Sequence, residues 1–408
     1  MADSSVDFVC HFSGSPIQRS VHHVEYGLIE KVSIGVADGK IIWLALDSEI
    51  PKNVTSVRQI KGRGALITPG LVDCHTHIVY GGNRAAEWEM RLEGKSYEDI
   101  ARAGGGILST VRATRSATEE ELFESASVRL KRLMSEGVTT VEVKSGYGLD
   151  LETELKMLRV AKRLGQSLPV TVTPTLLGAH AVAPEFTGRS DEYIELVCES
   201  MIPMAKDHCT SVDVFCESIA FNLEQTRRVF EAARNFGLQL KIHAEQLTHT
   251  GSAAMAAEMG AISADHLEYL SESDCESLSR SGTVATLLPG AFYCLKEEQI
   301  PPVAALQKHG VPIAIASDSN PGSSPVVSLL LMGNMACNLF GLTPAQSLTA
   351  ITRNAAMALG LQDEIGTIEV GKLADFAAWN VVSPAEIVYG IGHNPCREVF
   401  KSGEEARF

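Results

Sequence analysis

The chain lacks an excess of positive charge. Its 408 residues include 35 lysines and arginines against 50 aspartates and glutamates, a formal net charge of −15. Such a surface repels polyanions, so nucleic acids and anionic membrane surfaces are unfavourable partners. The sequence also lacks an apolar run near the roughly 20 residues that a membrane-spanning helix requires, since polar residues and a glycine interrupt the nearest one, at 326–340. We therefore expect neither nucleic acid nor a membrane as a partner.

The sequence also lacks the patterns of paired cysteines and of a secretory leader. The nine cysteines are odd in number and no two have Cys-x-x-Cys spacing, so a disulfide framework is not indicated. The first residues, Met-Ala-Asp-Ser-Ser-Val-Asp, lack the basic and then apolar stretches of a signal peptide. We expect a cytoplasmic location. Hydrophobic residues make up 45% of the chain and charged residues 21%, which is ordinary for a folded enzyme with a sizeable core.

From Val138 onward, short β-branched segments alternate with longer segments of helical periodicity, the pattern of βα units in a parallel sheet. We predict eight strands, at 66–73, 138–143, 170–176, 212–216, 239–243, 261–265, 283–288 and 312–317. Helices are predicted at 118–135, which opens with a capping box, and at 150–164, 191–206, 223–236 and 301–309. Eight strand–helix units predict an α/β fold, a (β/α)8 TIM-type barrel.

The two ends of the chain depart from this alternation. Residues 27–43 alternate polar and apolar side chains around Asp38-Gly39, which is a hairpin signal. Residues 365–379 predict further strands around Gly366 and Gly371. We expect a small β-sandwich domain formed by residues 1–68 and 363–408, and a barrel formed by residues 69–362.

The run Asp-Cys-His-Thr-His at 73–77 closes the first predicted strand. Alternation along an extended chain turns His75 and His77 to one face and Cys74 to the other, so the two imidazoles can hold one cation. A His-x-His pair is a weak signal by itself. In a barrel, however, functional groups lie at the carboxyl ends of the strands. Further metal-binding residues at the ends of the other strands would therefore support a metal site.

Polar residues end seven of the eight predicted strands. The second ends in Lys144–Tyr147 and the fourth in Glu217, whereas the seventh, near Leu288, offers no ionisable group. Histidines end four strands and an aspartate ends the last: His75 with His77, His180, His243, His266 and Asp318. Because the chain has only 12 histidines, this convergence indicates a metal centre with an open position for water, for which zinc and iron are suited.

This arrangement resembles the amidohydrolase superfamily, which has a His-x-His after strand one, histidines after strands five and six, an aspartate after strand eight and a β-domain made from both termini. The resemblance implies one zinc or iron ion per chain, held by His75, His77, His243 and Asp318. Binuclear relatives carry a carboxylated lysine at the end of strand four. No lysine stands there in this chain, which agrees with a single ion.

Five local sequence motifs are more specific than the superfamily pattern. They lie at residues 68–77, 143–148, 177–180, 263–266 and 316–323. They are similar to the branch of the superfamily that hydrolyses 4-imidazolone-5-propionate to N-formimino-glutamate in histidine degradation, a small anionic substrate. The resemblance implies two catalytic residues, Asp318 as a base that activates water and then protonates the leaving nitrogen, and His266 as a group that stabilises the oxyanion. The implied substrate contacts are Arg84, Tyr147, His180, Gln246, Asn320, Gly322 and Ser323.

Two of these contacts carry their own chemical argument. The guanidinium of Arg84 suits a bidentate grip on a carboxylate, and an anionic protein needs a local cation to bind an anionic substrate. Gln246 departs from part of the family, where a glutamate at this position is proposed as an acid/base. Since an amide cannot exchange protons near neutral pH, we predict that Gln246 forms a hydrogen bond with the substrate.

Several alternatives stay open. Asp318 could cap the turn at 320–322, and Glu245 could point away from the barrel lumen. Lys144 and Glu217 could form a structural ion pair or could act in catalysis. An aminohydrolase acting on a purine-like ring would share the metal ligands but would not need Arg84. A non-catalytic scaffold would have no use for four convergent ligands. The sequence leaves a homodimer open.

Overall fold

The computed structural model describes residues 5–18, 26–50, 55–61, 66–95 and 105–408. The strands, numbered in chain order, are β1 Ser5–Gln18, β2 Leu28–Ala37, β3 Lys40–Leu46, β4 Thr55–Lys61, β5 Leu66–Pro69, β6 Leu71–Asp73, β7 Val138–Lys144, β8 Thr171–Ala179, β9 Ser211–Cys216, β10 Gln239–Ala244, β11 Ser263–His266, β12 Val284–Leu287, β13 Ile313–Ile315, β14 Phe376–Trp379, β15 Cys396–Lys401 and β16 Glu404–Glu405. They form two separate sheets.

The first sheet joins the two ends of the chain. Its order is β16–β15–β14–β5–β1–β2–β3, and β4 pairs with β1. The pairing is antiparallel except that β1 runs parallel to β4 and β5. Its apolar core contains Val32, Ile34, Val36, Ile41, Ile67, Ile368, Ala374, Phe376, Ala378 and Phe400. The small β-domain formed from both chain ends is thus confirmed, as one continuous sheet, whereas the domain boundaries at 68 and 363 stay a prediction.

The hairpin predicted around Asp38-Gly39 is present. Strands β2 and β3 are antiparallel up to Ala37 opposite Lys40, and Asp38 (φ 51°) and Gly39 (φ 72°) both have the left-handed conformation that a tight hairpin turn needs.

The prediction of further strands within residues 365–379 is confirmed in part, because β14 lies at Phe376–Trp379, but the described chain has no strand at Gly366 or Gly371. Both glycines have positive φ, 87° and 96°, so the chain turns there instead of extending. The segment attaches to the neighbouring strand β3 through a hydrogen bond of 2.7 Å from Gly371 N to Ile41 O. Regular strand structure begins only at Phe376.

The second sheet contains β6 to β13, parallel and in sequential order. Its first and last strands meet just beyond their ends, where Asp318 N donates to His75 O (2.9 Å) and His77 N donates to Ser319 O (3.0 Å). The sheet therefore forms a nearly closed barrel, which confirms the predicted TIM-type fold. It also brings the His-x-His segment and Asp318 side by side.

The strand predicted at 66–73 is in fact two strands. β5 pairs with β14 in the small sheet, whereas β6 pairs with β7 in the barrel. Between them, Gly70 N donates to Asp375 O (2.9 Å), and a Cβ at Gly70 would overlap the Thr139 side chain. The close approach requires glycine, and the change of sheet happens there.

Helices surround the barrel, and the main apolar core lies between the two layers. The α-helices are Ala85–Leu92, Ile107–Ser116, Glu119–Met134, Leu151–Ser167, Ser190–Leu196, Ile202–Ala205, Leu223–Asn235, Ser252–Glu258, Glu272–Ser281, Pro289–Leu295, Val303–Lys308, Leu329–Phe340, Pro344–Ala350, Arg353–Met357 and Glu386–Tyr389. Within the described ranges, none is long and apolar enough to cross a membrane.

Two of the helices predicted from the sequence can be compared directly with the structure. The helix Glu119–Met134 begins with the predicted capping box, because Glu121 N donates to Thr118 Oγ1 (3.2 Å) and Thr118 N donates to Glu121 Oε2 (2.8 Å). The helix predicted at 191–206 is not continuous. A π-helical turn at Val197–Met201 divides it, just before Pro203, which has no N–H to donate to the preceding turn.

Candidate active site

Four buried side chains meet at the carboxyl end of the barrel. His75, His77 and His243 each offer a ring nitrogen, and these atoms lie within 4.8 Å of one another. The Nε2 atoms of His75 and His77 are 3.3 Å apart, and Asp318 Oδ1 lies 3.5 Å and 3.4 Å from them. Ligands of a tetrahedral ion with bonds of about 2.0–2.1 Å stand about 3.4 Å apart. The spacing therefore fits one divalent metal ion.

The protonation states fit such an ion as well. Burial lowers the pKa of His75, His77 and His243 well below the ordinary value, so the rings are neutral near pH 7, the form that binds metals. His243 Nε2 is buried without a hydrogen-bond partner among the described residues, and leaving such an atom unsatisfied is costly. Burial raises the pKa of Asp318 well above its ordinary range, and a nearby cation favours the ionised form.

Two buried carboxylates orient two of the histidines. His75 Nδ1 lies 2.6 Å from Asp265 Oδ2, and His243 Nδ1 lies 3.0 Å from Asp213 Oδ1. When Nδ1 donates its hydrogen to a carboxylate, Nε2 carries the lone pair that a metal needs. The prediction from sequence does not include Asp213 or Asp265. The available signal is an acidic residue inside an apolar strand of a parallel barrel, where such strands are normally apolar throughout.

Lys144 does not pair with Glu217, so that alternative is wrong. Lys144 Nζ lies 2.6 Å from Asp213 Oδ2 and 2.9 Å from Glu142 Oε2. Burial alone would lower the pKa of Lys144, but these carboxylates outweigh it and raise the pKa above its ordinary value. The carboxylate of Glu217 instead accepts hydrogen bonds from the backbone N–H groups of residues 247 and 248 (2.9 and 3.1 Å), and thereby orders the loop after β10.

Three residues at strand ends have left-handed backbone conformations: Glu245 (φ 54°), His266 (φ 82°) and Asp318 (φ 49°). Such φ values are strained for residues other than glycine and often mark functional sites. His266 and Asp318 face the cavity described below. Glu245 does not, because its carboxylate accepts hydrogen bonds from Thr250 N and Ser252 N (both 2.8 Å) at the start of the helix Ser252–Glu258. The alternative in which Glu245 points away from the lumen is confirmed.

A cavity of about 590 Å³ opens above the four side chains. Its walls include His77, His243, His266, Asp318 and all seven residues predicted to contact substrate: Arg84, Tyr147, His180, Gln246, Asn320, Gly322 and Ser323. The structure thus brings together residues that are widely separated along the chain. It adds Glu87, Arg91, Phe215 and Glu297 to the lining, residues that carry no motif in the sequence.

Arg84 is held against the cavity wall by Glu87. Its Nε and Nη2 atoms lie 2.8 and 2.7 Å from Glu87 Oε2. Glu87 also accepts hydrogen bonds from Ser109 Oγ (2.7 Å) and Gly106 N (3.0 Å). The Nη1 end of the guanidinium lies against Gly322, where a Cβ would overlap it. A fixed cation with one edge turned away from Glu87 therefore faces the cavity.

His180 and Tyr147 form an aromatic wall next to His77. The rings of His180 and His77 are stacked, with centroids 5.3 Å apart, and Tyr147 lies 5.4 Å from His180. His180 Nδ1 is 2.9 Å from Gly146 O, which leaves its other nitrogen available. Burial lowers the pKa of His180 and raises that of Tyr147. Both groups are therefore neutral near pH 7. The single N–H of neutral His180 is used by Gly146 O, so its Nε2 can accept a hydrogen bond, whereas the Tyr147 hydroxyl can donate one.

The turn at 320–322 is capped by Asn320. Its Oδ1 accepts hydrogen bonds from Gly322 N and Ser323 N (both 2.8 Å), and its Nδ2 donates to Asp318 O (2.7 Å). The alternative in which Asp318 caps this turn is wrong, because the Asp318 carboxylate lies against His75 and His77. Asn320 thus fixes the backbone that presents Asp318.

Comparison with known proteins agrees with this geometry. The profile of the amidohydrolase family matches residues 66–406. An adenosine deaminase from Xanthomonas campestris, solved with bound zinc, has a TM-score of 0.73 at 19% identity and covers 99% of this chain and 93% of its own. Escherichia coli guanine deaminase has a TM-score of 0.72 at 15% identity, covering 97% and 98%. At these identities the solved structures support the fold alone. The chain belongs to the amidohydrolase family, and it also has curated relatives.

Those relatives are far more similar in sequence. Imidazolonepropionases from Shewanella putrefaciens (strain CN-32) and Shewanella baltica (strain OS155) are each 56% identical over 382 residues, covering 93% of this chain and 94% of the relative. Within the amidohydrolase family, the chain therefore belongs to the imidazolonepropionases. It is a hydrolase that acts on a small molecule, in a family that is typically metal-dependent. This agrees with neither the scaffold alternative nor the purine-like alternative.

Proposed function

We propose that this hydrolase opens the ring of 4-imidazolone-5-propionate to give N-formimino-glutamate in histidine degradation. The observation that carries the proposal is the fixed guanidinium of Arg84 on the wall of the cavity that ends at His77, His243 and Asp318. A carboxylate-bearing heterocycle matches a cavity that is lined by both a fixed cation and a candidate metal site. The cavity is of the size that small-molecule sites usually have, and the relatives carry the name of this activity.

We assign one zinc or iron ion per chain to His75, His77, His243 and Asp318. Neutral imidazoles and a carboxylate are acceptable ligands for either metal. Such an ion supplies Lewis acidity at the carbonyl and lowers the pKa of water in its neighbourhood. The ring nitrogens that face one another, and the unsatisfied Nε2 of His243, support this assignment.

Asp318 and His266 carry the proton and charge steps of the proposed reaction. As water oxygen bonds to the ring carbonyl carbon, an Asp318 carboxylate oxygen accepts the water proton. The C–N bond to that carbon then breaks, and Asp318 returns the proton to the leaving nitrogen. Burial lowers the pKa of His266 to about 4, so His266 is neutral near pH 7 and donates a hydrogen bond to the developing oxyanion.

The cavity walls position the substrate in this proposal. Arg84 binds the propionate carboxylate by a charge-assisted pair. The ring is oriented by Tyr147, His180, Gln246 and Ser323. Asn320 and Gly322 contact the glutamate end of the product. We also propose a cytoplasmic location, with neither nucleic acid nor a membrane as a partner, which the net charge of −15 supports.

The experiment first measures the zinc and iron content of the purified protein and then its turnover of candidate substrates. Purified protein is incubated with imidazolonepropionate, and separately with adenosine and guanine, and the products are identified by mass spectrometry. We expect a product heavier than imidazolonepropionate by one water, and no ammonia from the purine compounds. Ammonia release from a purine ring without turnover of imidazolonepropionate would overturn the proposal.

A further inference from the structure

Beneath the ligand histidines, the barrel interior holds a network of five charged side chains, none of them exposed: Glu142, Lys144, Asp213, Lys241 and Asp265. Charges buried in a low-dielectric interior are costly unless they are paired. The network contains two cations and three anions. Two of the anions are the carboxylates that accept hydrogen bonds from His75 and His243, but no step of the proposed reaction uses the lysines.

Lys144 lies between the two carboxylates that orient the histidines. Its Nζ is 2.6 Å from Asp213 Oδ2 and 3.6 Å from Asp265 Oδ2. The other oxygen of Asp213 faces His243 Nδ1 at 3.0 Å, and Asp265 Oδ2 faces His75 Nδ1 at 2.6 Å. One ammonium group thus contacts the partners of two different imidazoles, which come from separate strands of the barrel.

Lys241 has the same charge and the same burial but different contacts. Its Nζ lies 3.4 Å from Glu142 Oε2, 3.0 Å from Ala358 O and 3.4 Å from Cys74 O. Its ion pair is therefore with Glu142, a carboxylate that contacts neither ligand histidine in the part of the chain that the structure describes. The chain provides a matched control for Lys144.

We propose that Lys144 is a positioning residue of the metal centre, which holds Asp213 and Asp265 and thereby fixes His243 and His75 with their Nε2 atoms toward the ion. The inference rests on the metal assignment of the proposed function. Groups that orient metal ligands typically change metal affinity by about 10- to 100-fold when they are replaced. Lys144 reaches two ligands at once, so its effect is expected in that range.

The direction of the change in metal affinity shows whether Lys144 acts by positioning the carboxylates or only through its positive charge. A buried cation repels a divalent metal ion, so removal of a positive charge by itself strengthens metal binding. Loss of positioning weakens it. Lys144→Met removes the charge and the contacts with Asp213, Asp265 and Glu142 while keeping similar length. Lys241→Met removes an equal charge and shares only the Glu142 contact, so the two variants differ in the contacts with Asp213 and Asp265.

The test measures zinc affinity by competition between metal-loaded protein and a chelator of known strength. We expect Lys144→Met to bind zinc about 10- to 100-fold more weakly than wild type, and Lys241→Met to bind it as tightly or more tightly. Lys144→Gln, which retains a hydrogen-bond donor, serves if Lys144→Met does not fold. Circular dichroism and thermal unfolding establish that each variant is folded. Wild-type affinity in a folded Lys144 variant, or an equal loss in Lys241→Met, would overturn the proposal.

A second comparison tests the route through the carboxylates. In an Asp213→Asn/Asp265→Asn background, Lys144→Met is expected to cause no further loss of zinc affinity, because the groups it positions are already changed. Full additivity of the losses would contradict the proposed route. No substrate enters either experiment. An error in the substrate assignment therefore leaves the result intact, whereas wild-type protein that binds no metal would remove the metal assignment itself.

Discussion

Asp318 and His75 follow the last and first strands of the barrel, yet the backbone N of Asp318 donates to His75 O at 2.9 Å and its Oδ1 lies 3.5 Å from His75 Nε2. The contact that closes the barrel is therefore also the contact that assembles the candidate metal site. Because parallel strands place their carboxyl ends together, closure of the barrel brings these two groups of the candidate site into contact.

This coupling makes the ligand histidines a direct test of the metal assignment. His75→Ala or His243→Ala is expected to lose both bound metal and turnover, because three remaining ligands leave the ion weakly held. Metal content by elemental analysis and turnover are measured on the same samples. His393→Ala, at an exposed histidine, is the control and retains both. Full activity in rigorously metal-free wild type would contradict the assignment.

Asp318→Asn tests the proton-transfer role. The amide keeps the size of the side chain but cannot accept a proton at neutral pH. We expect turnover to fall by about 10²- to 10⁴-fold with a much smaller change in KM. Because Asp318 is also assigned as a ligand, the comparison is made at equal metal content. A change in KM alone would show that Asp318 serves binding instead.

Gln246→Glu examines the position at which this chain departs from part of its family. Gln246 lines the cavity and is 9% exposed. If it only forms a hydrogen bond with the substrate, a carboxylate at 246 repels the anionic substrate, and we expect a higher KM. A proton-transfer position would instead give faster turnover and a new ionisation in the pH profile. Gln246→Met removes the hydrogen bond without adding charge. Comparison of the two variants therefore distinguishes repulsion of the substrate by a carboxylate from loss of the hydrogen bond.

The pH dependence of stability offers a test at Glu268. This side chain is 1% exposed, its Oε2 has no hydrogen-bond partner within the described ranges, and burial raises its pKa from 4.5 to about 8. Between about pH 4.5 and 8, the unfolded chain releases this proton while the folded chain retains it, so the free energy of unfolding falls as pH rises. Glu268→Gln removes the ionisation. We expect the variant to gain on the order of 3 kcal/mol relative to wild type between pH 5 and 8.

Denaturant unfolding at several pH values with saturating metal provides the measurement. The two proteins should differ least near pH 5 and most near pH 8. Parallel curves for variant and wild type across this range would mean that Glu268 is not protonated in the folded protein near neutral pH.

The strand ends can be predicted from the sequence, whereas the interior contacts cannot. The barrel strands can be located because short β-branched segments alternate with helical segments along the chain. The geometry of parallel strands is then enough to place His75, His243 and Asp318 together. A pairing of Lys144 with Glu217 is wrong because a long flexible side chain can reach several carboxylates, and only the barrel interior decides between Glu217 and Asp213. The division of the first strand at Gly70 depends on a contact with Thr139, which is distant in sequence.

Replacement of Arg84 tests whether its guanidinium binds the substrate carboxylate. Its guanidinium is fixed by Glu87 through Nε and Nη2, and its remaining edge lies beside Gly322 on the cavity wall. If that edge binds the propionate carboxylate, Arg84→Met is expected to lose about 2 to 4 kcal/mol of substrate binding, roughly 30- to 1000-fold in KM. The ring chemistry depends on other groups, so turnover at saturation should change much less.

Two comparisons make this result specific. A neutral imidazolone ring without the propionate arm should be hydrolysed almost equally by wild type and Arg84→Met, because it has no carboxylate to lose. Arg159→Met removes the same charge from the surface, where Arg159 pairs with Glu119, and should leave KM unchanged, since exposed charges are screened over such distances. If Arg84→Met left the kinetics of imidazolonepropionate intact, the cation on the cavity wall would not be the anion anchor, and the geometric reason for preferring a carboxylate-bearing ring would be lost.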